Sequence, residues 1–170
     1  DAPQPHALVD LTFPPGLHTE PRIEQLGPLH GWTVIAENFD DPLAIAAAFM
    51  PLLVACPPDG PWQLGGVSQP WGWVSGSGMQ ELRALRIMPA SAPAPEPPIV
   101  PWRLPRGWFA CFDYNGEQDG IAGACAWIMA EWVPRSGLRA GFAPLFSLVE
   151  GVLNMSPVRA RLHAPIEAIG

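Results

Sequence analysis

Seven prolines between Pro89 and Pro105 set the tightest constraint on what this chain can fold into. Each lacks a backbone N–H and fixes φ, so the segment can form neither a helix nor a central strand and should run as extended, polyproline-like chain. Ile99, Val100, Trp102 and Leu104 in its second part predict a strap whose latter half is docked. The chain is therefore read as a single domain over 1–170, with candidate halves at 1–88 and 106–170 and the stretch 89–105 as the connector. A chain of 170 residues that is 48% apolar can bury a proper core.

The clearest start signal is Asp40-Asp41-Pro42. Asp41 can accept from the free amides of a first helical turn, and Pro42 stands where its missing N–H costs nothing. This predicts a helix over about 42–56, with a kink or break at Pro51. A second helix is expected over about 142–154, because Leu145, Leu148, Val149 and Val152 fall on one helical face. Ala7–Phe13, Trp32–Glu37, Trp62–Val67, Gly72–Ser75 and Gly107–Tyr114 read as strands between turn residues. Ile121–Val133 is apolar and Ala-rich. Its position after the turn at 115–120 favours a strand, which would set Cys111 and Cys125 opposite each other, although buried free thiols are the commoner case. Glu81–Met88 fits a short helix slightly better than a strand.

Val34-Ile35-Ala36-Glu37 and Ile128-Met129-Ala130-Glu131 look alike, and each is followed by a Phe-x-Pro-Leu run, at Phe49 and Phe142. Such matches also arise by chance. The predicted fold class is α+β: a mixed or antiparallel sheet with two main helices, at 42–56 and 142–154, in candidate ββαβ halves joined by the proline strap.

Sixteen acids face nine bases, all of them Arg, for a net charge of −7. Without Lys there is no Schiff-base or P-loop chemistry. Without a basic run, nucleic acid is an unexpected partner. No apolar stretch is long enough to span a bilayer, and the default compartment is the cytoplasm. Cys56, Cys111 and Cys125 match no metal spacing, Ser75–Gly78 misses the nucleophile-elbow pattern, and Asp113–Gly120 lacks the required Gly and Glu of a calcium loop. No metal or cofactor is expected, and no catalytic set is legible.

Two groups of candidate site residues remain. Trp62, Trp71, Trp73, Trp102 and Trp108 could form an aromatic surface, since eight Trp exceed what a modest core encloses. With the acidic balance, this favours a protein–protein binding module of inhibitor, accessory or assembly type, with another protein, basic in character, as partner. The alternative is a small-molecule-binding domain or small enzyme with a pocket between similar halves, near Glu37, Glu131 and Trp127. A structural subunit of a larger particle is the third reading.

Overall fold

The computed structural model describes all residues except 9–10, 19, 69–80, 152–156 and 170. Nine strands dominate it: β1 Arg22–Leu26, β2 Leu29–Ile35, β3 Leu64–Ser68, β4 Arg83–Met88, β5 Val100–Leu104, β6 Gly107–Gly116, β7 Leu138–Ala140, β8 Leu145–Val149 and β9 Val158–Ala168. Among the described residues two helices are inserted, α1 at Pro42–Ala55 and α2 at residues 118–135. Every strand pair is antiparallel. The order is β1-β6-β9-β8-β3-β4-β2-β5, with β7 added beside β9, and the sheet curves into a half-barrel.

This order reads the same from both ends. If β1, β2, β3 and β4 are equated with β5, β6, β8 and β9, the sequence of neighbours maps onto itself about the β3–β8 pair. Each half is thus a ββαββ unit, with α1 and α2 in equivalent places, and the first strand of each half lies on the edge of the other. The apolar matches quoted above do not fall on equivalent positions. Residues 34–37 end β2, whereas residues 128–131 lie inside α2; Phe49 is in α1, whereas Phe142 precedes β8.

The sheet has two dressed faces. Along β8, Leu145 and Val149 pack toward the helices with Phe49, Leu52, Ile128 and Trp132, while Phe146 and Leu148 pack on the opposite side with Val67, Leu85, Leu104 and Phe109. At the seam, Gly65 lies against β8 so closely that a Cβ there would collide with the Ser147 carbonyl. Only glycine permits that approach.

Several sequence expectations are overturned. The fold is not α+β but a mostly antiparallel half-barrel; the helix expected at 42–56 forms as Pro42–Ala55, whereas the second lies at 118–135 and not at 142–154. Residues 145–149 form a strand in the middle of the sheet with both faces covered. Apart from Ser147 the strand is apolar on both faces, and an i, i+3, i+4 spacing then appears without a helix. Conversely, Ile121–Trp127 is helical because Ile121, Ala124, Cys125, Ile128, Met129, Trp132 and Val133 form one continuous helical stripe. The helix widens into a π turn over Ile128–Trp132 just before Pro134, whose missing N–H leaves the ladder one donor short. Glu81–Met88 is not helical, since β4 occupies 83–88. No strand is assigned to 7–8 or 11–13, and Gly72–Ser75 falls outside the described residues. The proline segment ends in β5, an edge strand, where Pro101 is tolerated because one side of the strand has no ladder to complete.

Candidate functional site

A cleft opens where the two halves meet. Its floor is the centre of the sheet: residues 65–68 of β3, Arg83 and Ala84 of β4, and Leu145, Ser147 and Val149 of β8. One wall is α1, through Pro42, Ile45, Ala48 and Phe49, and the other is the start of α2, through Gln118, Asp119, Ile121, Ala122 and Cys125. Its volume is about 350 Å³, at the lower end of the roughly 300–1,000 Å³ usual for small-molecule sites. A wider hollow of about 920 Å³ shares Pro42, Ile45, Phe49, Gln118 and Asp119 with it. That hollow runs out along the exposed 58–61 loop, so the sheet-floored cleft is the inner part.

Local chemistry places both walls. Asp41 Oδ1 accepts from the Leu43 N–H at 3.0 Å and fixes the start of α1 beside the floor. At the other wall, the Tyr114 hydroxyl donates to the Glu117 carbonyl at 2.5 Å, anchoring the turn that leads into α2. A Cβ at Gly120 would strike that hydroxyl. On the floor, the Ser147 hydroxyl accepts from the Gly66 N–H at 3.2 Å across the seam.

The lining is mainly apolar. Its charged members are Asp40 and Asp119, both exposed, and Arg83, held by Glu81 at 2.6 Å. The Cys125 thiol is pushed up to about 12 by burial, so it lines the cleft as a small apolar group and not as a nucleophile. All three cysteines are free, and the hairpin that would have paired Cys111 with Cys125 does not form.

Of the candidate site residues that the structure describes, Trp62, Trp102, Trp108, Glu37, Glu131 and Trp127, none lines this cleft. Glu37 is exposed just after β2. Glu131 is exposed on α2 and pairs with Arg135 at 3.0 Å. Trp127 is half-buried, with its ring 5.2 Å from that of Phe13. These three are not brought together into one lining. Trp62 has a positive φ of 62°, its N–H donates to the Val149 carbonyl at 3.0 Å, and the Arg161 guanidinium stacks 3.8 Å from its ring. Trp102 meets Phe146 edge-on, and Trp108 packs half-buried against the core. Trp71 and Trp73 lie outside the described residues. No described Trp is fully exposed.

The sequence reading missed the floor and both walls. Two signals were present: the Gly65-Gly66 doublet inside a strand, which marks a close backbone approach, and the helical stripe from Ile121 to Val133.

No family model and no curated protein matches the chain. Solved structures do. It is similar to EcmrR in a cryo-EM structure of an EcmrR–DNA complex, at 12% identity and TM-score 0.61, covering 87% of this chain and 57% of that one. It is similar to the EcmrR C-terminal domain, at 12% identity and TM-score 0.60, covering 87% and 97%. It also matches a Staphylococcus aureus MU50 protein named for bacterial transcription regulation, at 13% identity and TM-score 0.53, covering 89% and 100%. The chain thus spans little more than half the length of EcmrR in the DNA complex.

At such identities the likeness establishes the fold. It nonetheless overturns two sequence expectations. The reading as a protein–protein binding module with a basic protein partner gives way, since the neighbours are transcription-regulator domains. The exclusion of nucleic acid gives way as well, because the shared fold occurs in a protein solved on DNA. Net charge describes a whole surface, and a fold can serve DNA-directed work without a basic majority. Among the described residues, no helix is long and apolar enough to cross a membrane.

Proposed function

We propose that this chain is the ligand-sensing domain of a transcription-regulatory protein, with the cleft between α1 and α2 as its small-molecule site. The observation that carries the reading is the cleft's position: it sits on the symmetry seam, with one wall from each half. A molecule bound there touches both halves at once, so it favours whichever spacing of α1 and α2 suits it best. Coupling of this kind is what a regulator needs to convert occupancy into a change at DNA or the transcription machinery. The regulatory sense is supported by the fold shared with the EcmrR C-terminal domain and with EcmrR in its DNA complex. A cytoplasmic setting follows from that role.

The test is a screen of small apolar compounds by melting temperature. A true ligand at 100 times its Kd stabilises the protein by about 2.7 kcal/mol. Ala122→Trp places an indole in the cleft from an exposed helical position, and Gly66→Leu fills the floor. Either variant should keep its fold and lose the ligand-induced rise. A reporter driven by the regulator should respond to the same compound in wild type and not in Ala122→Trp. A rise that survives both substitutions would remove the cleft from the account.

A further inference from the structure

The charges around the cleft and one hydroxyl on its floor deepen the proposed function, on which this inference rests: we propose that the ligand is an uncharged, mainly apolar molecule carrying a hydrogen-bond acceptor, which the Ser147 hydroxyl receives.

A charged molecule that settles on the apolar floor of a cleft gives up much of its water and needs a buried partner of opposite sign. Among the described residues the floor carries one charged side chain, Arg83, and it is only partly buried. Asp40 and Asp119 are exposed at the edge, where water and salt screen them. Arg83 already holds Glu81 at 2.6 Å. The segments 69–80 and 152–156 contain no charged residue at all. An anion might look to the two helix starts that border the cleft, but each is already matched by a carboxylate. Asp41 caps α1, and Asp119 sits in the turn entering α2. Cations and anions are therefore both unsupported at depth, and a neutral molecule loses least on entry.

Ser147 supplies the one directed polar feature that the argument uses. It stands on the helix-facing side of β8 between Leu145 and Val149, two residues of the core beneath the helices. Its oxygen accepts from the Gly66 N–H at 3.2 Å. A hydroxyl accepts and donates, and with its accepting side engaged by the backbone, the proton remains to be given. The opposite residue in the ladder is Gly66, which has no side chain to shield it. A carbonyl or ether oxygen seated over this pair completes the hydroxyl's bonding, while the rest of the ligand lies against Ile45, Phe49 and Ile121.

The experiment uses matched naphthalenes against the whole chain, read by displacement of the neutral fluorescent ketone Prodan: 2-acetylnaphthalene, 2-ethylnaphthalene, 2-naphthyltrimethylammonium and 2-naphthoate. The ketone should bind about 10-fold tighter than the ethyl compound, the size of one hydrogen bond, and both ions should bind more weakly than either. Ser147→Ala should erase the ketone's advantage and leave the ethyl compound unchanged, and Ser147→Thr should restore the advantage. Melting curves of both variants establish that they fold. Tighter binding of the trimethylammonium compound, or an equal loss for ketone and hydrocarbon in Ser147→Ala, would overturn the proposal while leaving the cleft a ligand site. If Prodan stays dark and no probe shifts the melting temperature, the ligand-sensing reading fails and takes this inference with it.

Discussion

The two halves deliver equivalent helices to the cleft, yet the helices are held differently. The inward stripe of α2 is buried from Ala124 to Val133, and the N-terminal arm packs beside it: Leu8, Leu11 and Phe13 lie on the core, the Phe13 ring meets that of Trp127, and the His6 N–H donates to the Ser136 carbonyl at 2.7 Å. The equivalent segment before β5, residues 89–99, packs through Ala92 and Ile99. It leaves the outer side of α1 bare, with Leu43 79%, Met50 55% and Val54 77% exposed. Among the described residues, one wall is thus clamped between sheet and arm, and the other packs on the sheet. A helix held on one side opens at lower free energy, so under the proposed function α1 is the wall expected to yield on ligand binding.

The largest effect should come from the clamped wall. Trp132 is fully buried and meets Phe112 edge-on at 5.2 Å. Trp132→Ala should cost about 3–5 kcal/mol in denaturant unfolding. A loss under about 1 kcal/mol would show that α2 is no better anchored than α1.

The second half also buries a histidine. His163 stacks on the Phe146 ring at 4.2 Å and its Nδ1 lies 3.0 Å from the Phe146 carbonyl, and burial lowers its pKa from 6.5 to about 4. The unfolded chain binds the proton more readily, so stability is intact above about pH 6.5 and falls as pH drops toward 4. The full effect is about 3 kcal/mol. His163→Gln, which cannot titrate, should flatten the stability profile between pH 6.5 and 4; an unchanged slope would mean that the ring is not the titrating group.

The unclamped wall should depend on its own ends. Asp41→Ala removes the cap of α1 and should cost about 1 kcal/mol, with faster amide exchange confined to α1. The start of α2 has no side-chain cap to lose. Smallest of all, Leu43→Ser and Val54→Ser should change stability by no more than about 0.5 kcal/mol. A larger loss from either would mean that something covers that side of α1 in solution.

The first helix was readable because its signal is local: an Asp that accepts from an amide two residues on, followed by Pro at the first turn. The second was equally periodic, yet the Asn-Gly and Asp-Gly pairs before it suggested a hairpin. The turn at 115–120 instead feeds a helix through the Tyr114 contact with Glu117, a tertiary feature invisible in linear sequence. β8 misled for the opposite reason. Covered on both faces, it loses the alternation that identifies a strand, and only its place at the centre of the sheet explains its apolar run. The site itself was hardly legible. Its floor is a glycine doublet and a serine contributed by strands 81 positions apart in the pairing of Gly66 with Ser147. The eight Trp drew attention because they are rare and large, but the two most buried of those described, Trp32 and Trp132, simply fill the core.

The most direct test of the account is an amide NMR titration of the ¹⁵N-labelled chain with 2-acetylnaphthalene. The cleft on the seam predicts shifts that cluster on Ile45 and Phe49 of α1, Ile121 and Cys125 of α2, and Gly66 and Ser147 on the floor, all saturating with one Kd. Perturbations confined to one half, or gathered around Trp62 and Arg161 or along the bare side of α1, would contradict it.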